Sequence, residues 1–248
     1  MMNRTKFIGT ALLISLCVTA CGDGTNQATE EDKSAENKPV IQEVAILSDC
    51  ASLTQTQFND RGQANCAFVS DDDPRWRFEV RYGEPTTGER EEDISIAIDV
   101  IDDGGRIVMA IEETAQFTSG LPLLFDLDED GRSELLVPLM TGNVNTVYAV
   151  WQGKIDEPPY IRVGEVSGVA FQTHQDGLFS VAARSSAVSW VITYFKMTEG
   201  QLAPIATTSI ELPDAEDDIE TCTITDNGGL ELVGLTLEQA RTQFCDAG

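Results

Sequence analysis

Histidine is almost missing from this 248-residue chain, with a single copy at His174, and positive charge is scarce, with 16 Lys and Arg against 42 Asp and Glu. One histidine cannot build a multi-histidine metal centre, and it leaves little for imidazole acid–base chemistry. A formal net charge of −26 excludes binding to nucleic acid through its phosphates, because that affinity comes from clustered Lys and Arg. No paired CxxC is present, so the cysteine spacing and the single histidine speak against a zinc site as well. GxSxG, HExxH and a phosphate-cradling glycine loop are also lacking. The longest apolar run, Phe7 to Leu16, is about half of the roughly 20 residues that a permanent transmembrane helix needs.

That short run has its own meaning. Arg4 and Lys6 precede it, and it ends in Val18-Thr19-Ala20-Cys21, the charge, apolar and small-residue order of a secretory signal. Small residues directly before a cysteine resemble the lipobox of bacterial lipoproteins. The resemblance implies removal of residues 1–20, acylation of Cys21 and attachment to a lipid bilayer through that acyl group. Gly22 stands where the enterobacterial retention signal carries aspartate, so the expected address is the outer membrane, facing the periplasm. Cleavage would remove two basic residues and no acidic one, leaving 16 − 2 = 14 basic against 42 acidic, a net charge of −28. Residues 21–43 are polar and charged with almost no large apolar side chain, so they read as a disordered acidic tether reaching about 25 Å. From residue 44 to 248 the composition suits one globular domain.

Cys50, Cys66, Cys222 and Cys245 remain in that domain, an even number suited to an oxidising compartment. Three pairings are open in principle. Proximity favours Cys50 with Cys66 and Cys222 with Cys245, each closing a loop worth about 3 kcal/mol in the chain-entropy picture.

Between these cysteines the hydrophobic period is two. Trp76, Phe78, Val80 and Tyr82 alternate with Arg75, Arg77, Glu79 and Arg81, the pattern of a half-buried strand. Ile94, Ile96, Ile98 and Val100 lead through Asp102-Asp103-Gly104-Gly105 into Ile107, Met109 and Ile111, a predicted hairpin. Further strands are expected at 121–125, 135–139, 146–151, 160–163, 178–183 and 190–197. The expected class is all-β, built of antiparallel hairpins, with sandwich, barrel and propeller left open by spacing alone. One short C-terminal helix is predicted, capped by Thr236 with Gln239, and carrying Leu237, Ala240 and Phe244 on one face.

The chemistry concentrates in Asp126-Leu-Asp128-Glu-Asp130-Gly131-Arg-Ser-Glu134. Carboxylates at positions one, three, five and nine converge if the chain turns at Gly131, and the backbone carbonyl of Arg132 can join them at position seven. Hard oxygen donors in that number suit Ca²⁺, which takes about six to eight at roughly 2.3 to 2.6 Å. Val137 stands where an EF-hand needs its final glutamate, and the flanks look like strands. The loop resembles those of integrin-type β-propeller repeats, with Glu134 in place of their usual aspartate. A wider resemblance, carried by Phe125, Asn143, Tyr148, Trp151 and Ala183-Arg184-Ser185-Ser186, is to periplasmic calcium-binding proteins with an incomplete β-propeller, similar to inhibitors of invertebrate-type lysozyme and to immunity proteins. It implies an incomplete propeller, with a β-sandwich as the runner-up, a structural Ca²⁺, and the blocking of a peptidoglycan hydrolase. The relatives insert a Ser-Gly loop into the hydrolase cleft; Ser167-Gly168 and Ser119-Gly120 are the matching pairs, and neither has the tyrosine that follows in the inhibitor pattern.

The resulting expectation is a domain that acts by binding a cationic cell-wall hydrolase and is not an enzyme. An envelope scaffold or adhesion module is the alternative within the binding class, and a carboxylate-based hydrolase the alternative outside it. His174 reads as a solvated residue of a polar loop, Asp71-Asp72-Asp73-Pro74 and 214–218 as exposed acidic loops, and Trp190 and Tyr194 as core residues near Arg184.

Overall fold

Strand β3 (Arg77–Tyr82) shows why this sequence makes sheets: Phe78 and Val80 are fully buried while Arg77, Glu79 and Arg81 point outward and pair with one another and with Asp99. Alternation of this kind buries one face of a pleated strand and wets the other. The structure, a computed structural model, describes residues 47–53, 64–72, 74–83, 93–116, 120–212 and 221–245. Residues 1–20, Cys21, the stretch 21–43, Ser119 and residues 214–218 lie outside the described residues.

The protein is all-β with one short C-terminal helix. The short β1 (Ser48–Asp49), β2 (Cys66–Val69), β3, β4 (Asp93–Ile101) and β5 (Ile107–Gln116) are hydrogen-bonded in that order. Next come β6 (Leu123–Phe125), β7 (Glu134–Thr141), β8 (Thr146–Gly153) and β9 (Tyr160–Gly168), an antiparallel meander. Among the described residues its ladder pairing with β5 is the single parallel pair Gln116 and Met140, beside which Glu113 of β5 accepts from Trp151 and Arg162. A second sheet runs β10 (Ala170–His174), β11 (Leu178–Arg184), β12 (Ser189–Thr198), β13 (Gln201–Glu211) and β14 (Thr221–Asp226), all antiparallel. Helix α1 (Leu237–Phe244) is the last element among the described residues.

Strand β7 is the centre of the packing. Its Leu135 and Val137 join a core with Phe78, Ile96, Ile98 and Tyr160, while its Leu136 joins another with Val150, Phe179 and Val181. Both faces of β7 are therefore covered, so its sequence reads as a continuous apolar run instead of an alternation. A third core, on Tyr194, Ile205 and Leu230, is capped by Ala240 and Phe244 of α1. The helix has the expected capping box: Gln239 N donates to Thr236 Oγ1 (3.3 Å) and Thr236 N to Gln239 Oε1 (2.9 Å). Leu237, expected on the packed face, is instead exposed. Disulfides join Cys50 to Cys66 and Cys222 to Cys245, the second tying α1 to β14.

Two further expectations are corrected by the strand pairing. Ser167-Gly168 is the end of β9 and not a free loop. A Cβ at Gly168 would lie 2.5 Å from the Ala182 carbonyl, so the glycine serves the close approach of β9 to β11. His174 is the last residue of β10, half-buried, with Nε2 2.8 Å from Ser180 Oγ and its ring 5.4 Å from that of Tyr194. Burial lowers its pKa, offset in part by Glu129.

Candidate metal centre

The loop 126–133 connects two strands whose register pairs Phe125 with Glu134. To turn back within that length the backbone enters the left-handed region twice, at Glu129 (φ 56°) and Gly131 (φ 86°). At Gly131 a Cβ would have open space around it, so it is the backbone angle and not crowding that calls for glycine.

Asp126 closes the first half of the turn, one carboxylate oxygen accepting from Asp130 N (3.2 Å) and the other from Gly131 N (3.1 Å). Asp130 accepts from Arg132 N at 2.9 Å and pairs with the Arg132 guanidinium. The structure thus brings three of the predicted ligands together: one oxygen of each of Asp126, Asp128 and Asp130 lies within 4.8 Å of the others. Glu134 stands outside that close trio, at the first position of β7, with its side chain fully buried. Its Oε2 accepts from Leu127 N at 2.7 Å. Arg132 enters the site through its guanidinium on Asp130, a contact that the ligand spacing does not foretell.

Two atoms decide whether a cation fits. Asp128 Oδ1 and Glu134 Oε1 are buried and have no hydrogen-bond partner among the described residues. Buried polar atoms are rarely left unpaired, and an unpaired carboxylate oxygen is among the costliest to leave so. Burial, followed by the charges of Asp128, Asp130 and Asp126, pushes the Glu134 carboxyl up to about 8, against the pull of the Leu127 N–H. Burial and then the charge of Asp130 raise Asp128. A divalent cation would supply the missing partner for both orphan oxygens and offset the mutual repulsion. All the donors are oxygens, which fits Ca²⁺ and not a soft metal.

Other residues support the loop from elsewhere in the fold, and no local pattern announces them. Gln152 of β8 donates to Asp128 Oδ2 at 3.4 Å, and Thr173 Oγ1 of β10 donates to Glu129 at 2.8 Å. Gly153 lets the loop pack close: a Cβ there would lie 3.0 Å from the Ser133 carbonyl. Asp72, read from sequence as part of an exposed acidic loop, has both carboxylate oxygens taken by Ser133. Asp71 beside it does stand in solvent, 3.4 Å from Arg75. Away from this site, Arg184 stacks over the half-buried Trp190 ring at 4.4 Å, whereas Tyr194 is buried against Phe244.

No family model matches the chain, and no curated protein matches it. A solved structure described as "Structure of a Xanthomonas Type IV Secretion System related protein" is similar to it at 10% identity and a TM-score of 0.44, over 69% of this chain and 92% of that one.

Proposed function

We propose that the protein is a calcium-stabilised, lipid-anchored binding domain of the cell envelope that blocks a basic peptidoglycan hydrolase. The observation that carries this reading is the acid excess of the chain, 42 Asp and Glu against 16 Lys and Arg, part of it in turns near the cation loop. In antiparallel meanders alternate connections emerge at the same end. The parallel pairing of β5 with β7 puts Asp102 and Asp103, between β4 and β5, at the end of the cation loop with Asp156 and Glu157, between β8 and β9, and the Thr173–Glu129 hydrogen bond brings the β10–β11 turn with Asp176 to the same end. A strongly negative surface steers a cationic protein and raises its rate of encounter, with a strong dependence on salt. Enzymes that attack a negatively charged wall are commonly basic. Three successive antiparallel meanders, β2 to β5, β6 to β9 and β10 to β13, support an incomplete propeller as the architecture, with the cation loop inside the middle one.

Equimolar purified domain is expected to suppress a basic lysozyme-type hydrolase on peptidoglycan, and added salt to weaken the effect. Full hydrolase activity at a large excess of the domain, at low salt and with calcium present, would sink the proposal. The anchor is a separate expectation, resting on the lipobox pattern at Cys21. Mass spectrometry of the exported protein should find residues 1–20 removed and Cys21 acylated; a free Cys21 thiol on the mature protein overturns it.

A further inference from the structure

We propose that Asp72 is a positioning residue for the cation loop, holding the Arg132–Ser133 peptide in the orientation that offers the Arg132 carbonyl as a ligand. This rests on the calcium reading of that loop. Asp72 lies 61 residues before Ser133, in the connection between β2 and β3, yet it clasps that residue completely: Oδ2 accepts from Ser133 N at 3.1 Å and Oδ1 from Ser133 Oγ at 2.9 Å. Hydrogen bonds to an ionised carboxylate are stronger and more directional than neutral ones.

Peptide planarity turns this clasp into a statement about the cation. In a trans peptide the N–H and the preceding C=O point in opposite directions. The Arg132–Ser133 bond is trans. With Ser133 N–H drawn onto Asp72, the Arg132 carbonyl must face away from Asp72. That carbonyl occupies position seven of the loop, where a calcium site of this spacing takes a backbone oxygen.

The rest of the loop shows why an outside clasp is needed. Asp126 fixes the N–H groups of Asp130 and Gly131, and Asp130 fixes that of Arg132. The loop's own carboxylates therefore order the chain only as far as residue 132. Ser133 N–H is held from another hairpin. Asp72 is itself presented by a closed turn, since Ser70 N donates to Trp76 O (2.8 Å) and Trp76 N to Ser70 Oγ (2.9 Å). By linkage, whatever the clasp adds to cation affinity, the cation returns to the β2–β3 connection.

The test compares calcium binding by calorimetry, and the melting shift between calcium and chelator, in the full chain and in three variants. Asp72→Ala is expected to weaken the calcium Kd by about tenfold or more, the usual scale for a residue that orients a ligand from outside. Asp72→Asn keeps one acceptor and should fall between Asp72→Ala and the parent. Asp71→Ala, altering the solvent-exposed neighbour, should bind calcium like the parent. A merely structural clasp would lower the melting temperature in calcium and in chelator equally and leave the Kd unchanged; that result, in either Asp72 variant, overturns the proposal. A parent protein that takes up no calcium overturns the calcium reading and this proposal together, whereas normal parent binding with unchanged Asp72 variants overturns this proposal alone.

Discussion

Replacing Glu134 with glutamine is expected to make the cation-free protein more stable at alkaline pH while removing most of its response to calcium. The side chain is fully buried, one oxygen accepts from Leu127 N, and the other has no partner among the described residues. Its folded carboxyl titrates at about 8 against an ordinary 4.5, so folding favours the protonated form. The sign follows: this contribution to stability is complete below about pH 4.5 and is lost as pH rises through 8. At about 1.4 kcal/mol per pH unit, the loss across that window amounts to several kcal/mol. Glutamine stays neutral, keeps an acceptor for Leu127 N–H, and abolishes that slope. Bound calcium would act in the opposite sense, because a cation favours the ionised form. Its affinity should therefore rise with pH up to about 8, and saturating calcium should raise stability by about 3 to 4 kcal/mol when present at 100 to 1,000 times its Kd. Melting curves in chelator and in calcium, at about pH 6 and about pH 9, separate these effects. Equal calcium shifts in parent and variant would mean that Glu134 is no ligand. A parent whose chelator melting temperature is the same at both pH values would mean that its carboxyl is ionised throughout.

The division between what could and could not be read from sequence follows the range of the interactions. Asp126, Asp128, Asp130 and Gly131 were legible because a tight loop brings its own residues together, so ligand spacing is a local property. Asp72, Gln152 and Thr173 were not, because strand register delivers them to the loop from distant segments. The same holds for the strands. In β3 and β4 one face is buried and the other wet, so Phe78, Val80, Ile96 and Ile98 alternate with polar residues or alanine. Strand β13 escaped notice because it carries Pro204, a residue that argues against a sheet interior. The structure tolerates it at a bulge, where Phe195 pairs with Pro204, Tyr194 pairs with Ala206, and Ile205 has no opposite number. Strand β14, Thr-Cys-Thr-Ile-Thr-Asp, is too polar to announce a core face, and its place is set by β13 and by Cys222. His174 was misread for a related reason: its polar neighbours suggest a loop, but pairing of β10 with β11 sets it against Ser180.

Helix α1 should prove the most fragile part of the described fold, and Phe244→Ala should unseat it. Eight residues are too few for a stable helix in isolation, since about 12 to 15 are needed even for favourable sequences. The capping box contributes on the order of 1 kcal/mol, so tertiary contacts must supply the rest. Phe244 is their centre: it is buried, its ring stacks on Tyr194 with centroids 4.0 Å apart, and its carbonyl accepts from Tyr194 Oη at 3.3 Å. Truncation to alanine removes the aromatic pair and leaves a cavity beside Ile205 and Leu230, at an expected loss of about 3 to 5 kcal/mol. Breaking the Cys222–Cys245 bridge by double serine substitution should lose about 3 kcal/mol by releasing the same helix from β14. Both changes undo one event, the docking of α1 on the third core. Their combined effect should therefore fall short of the sum, because a helix already detached has no further contacts to lose. Denaturant unfolding of the parent, each variant and the combination measures that coupling. Strict additivity would mean that ring and bridge stabilise the domain independently, with α1 staying docked when either is gone.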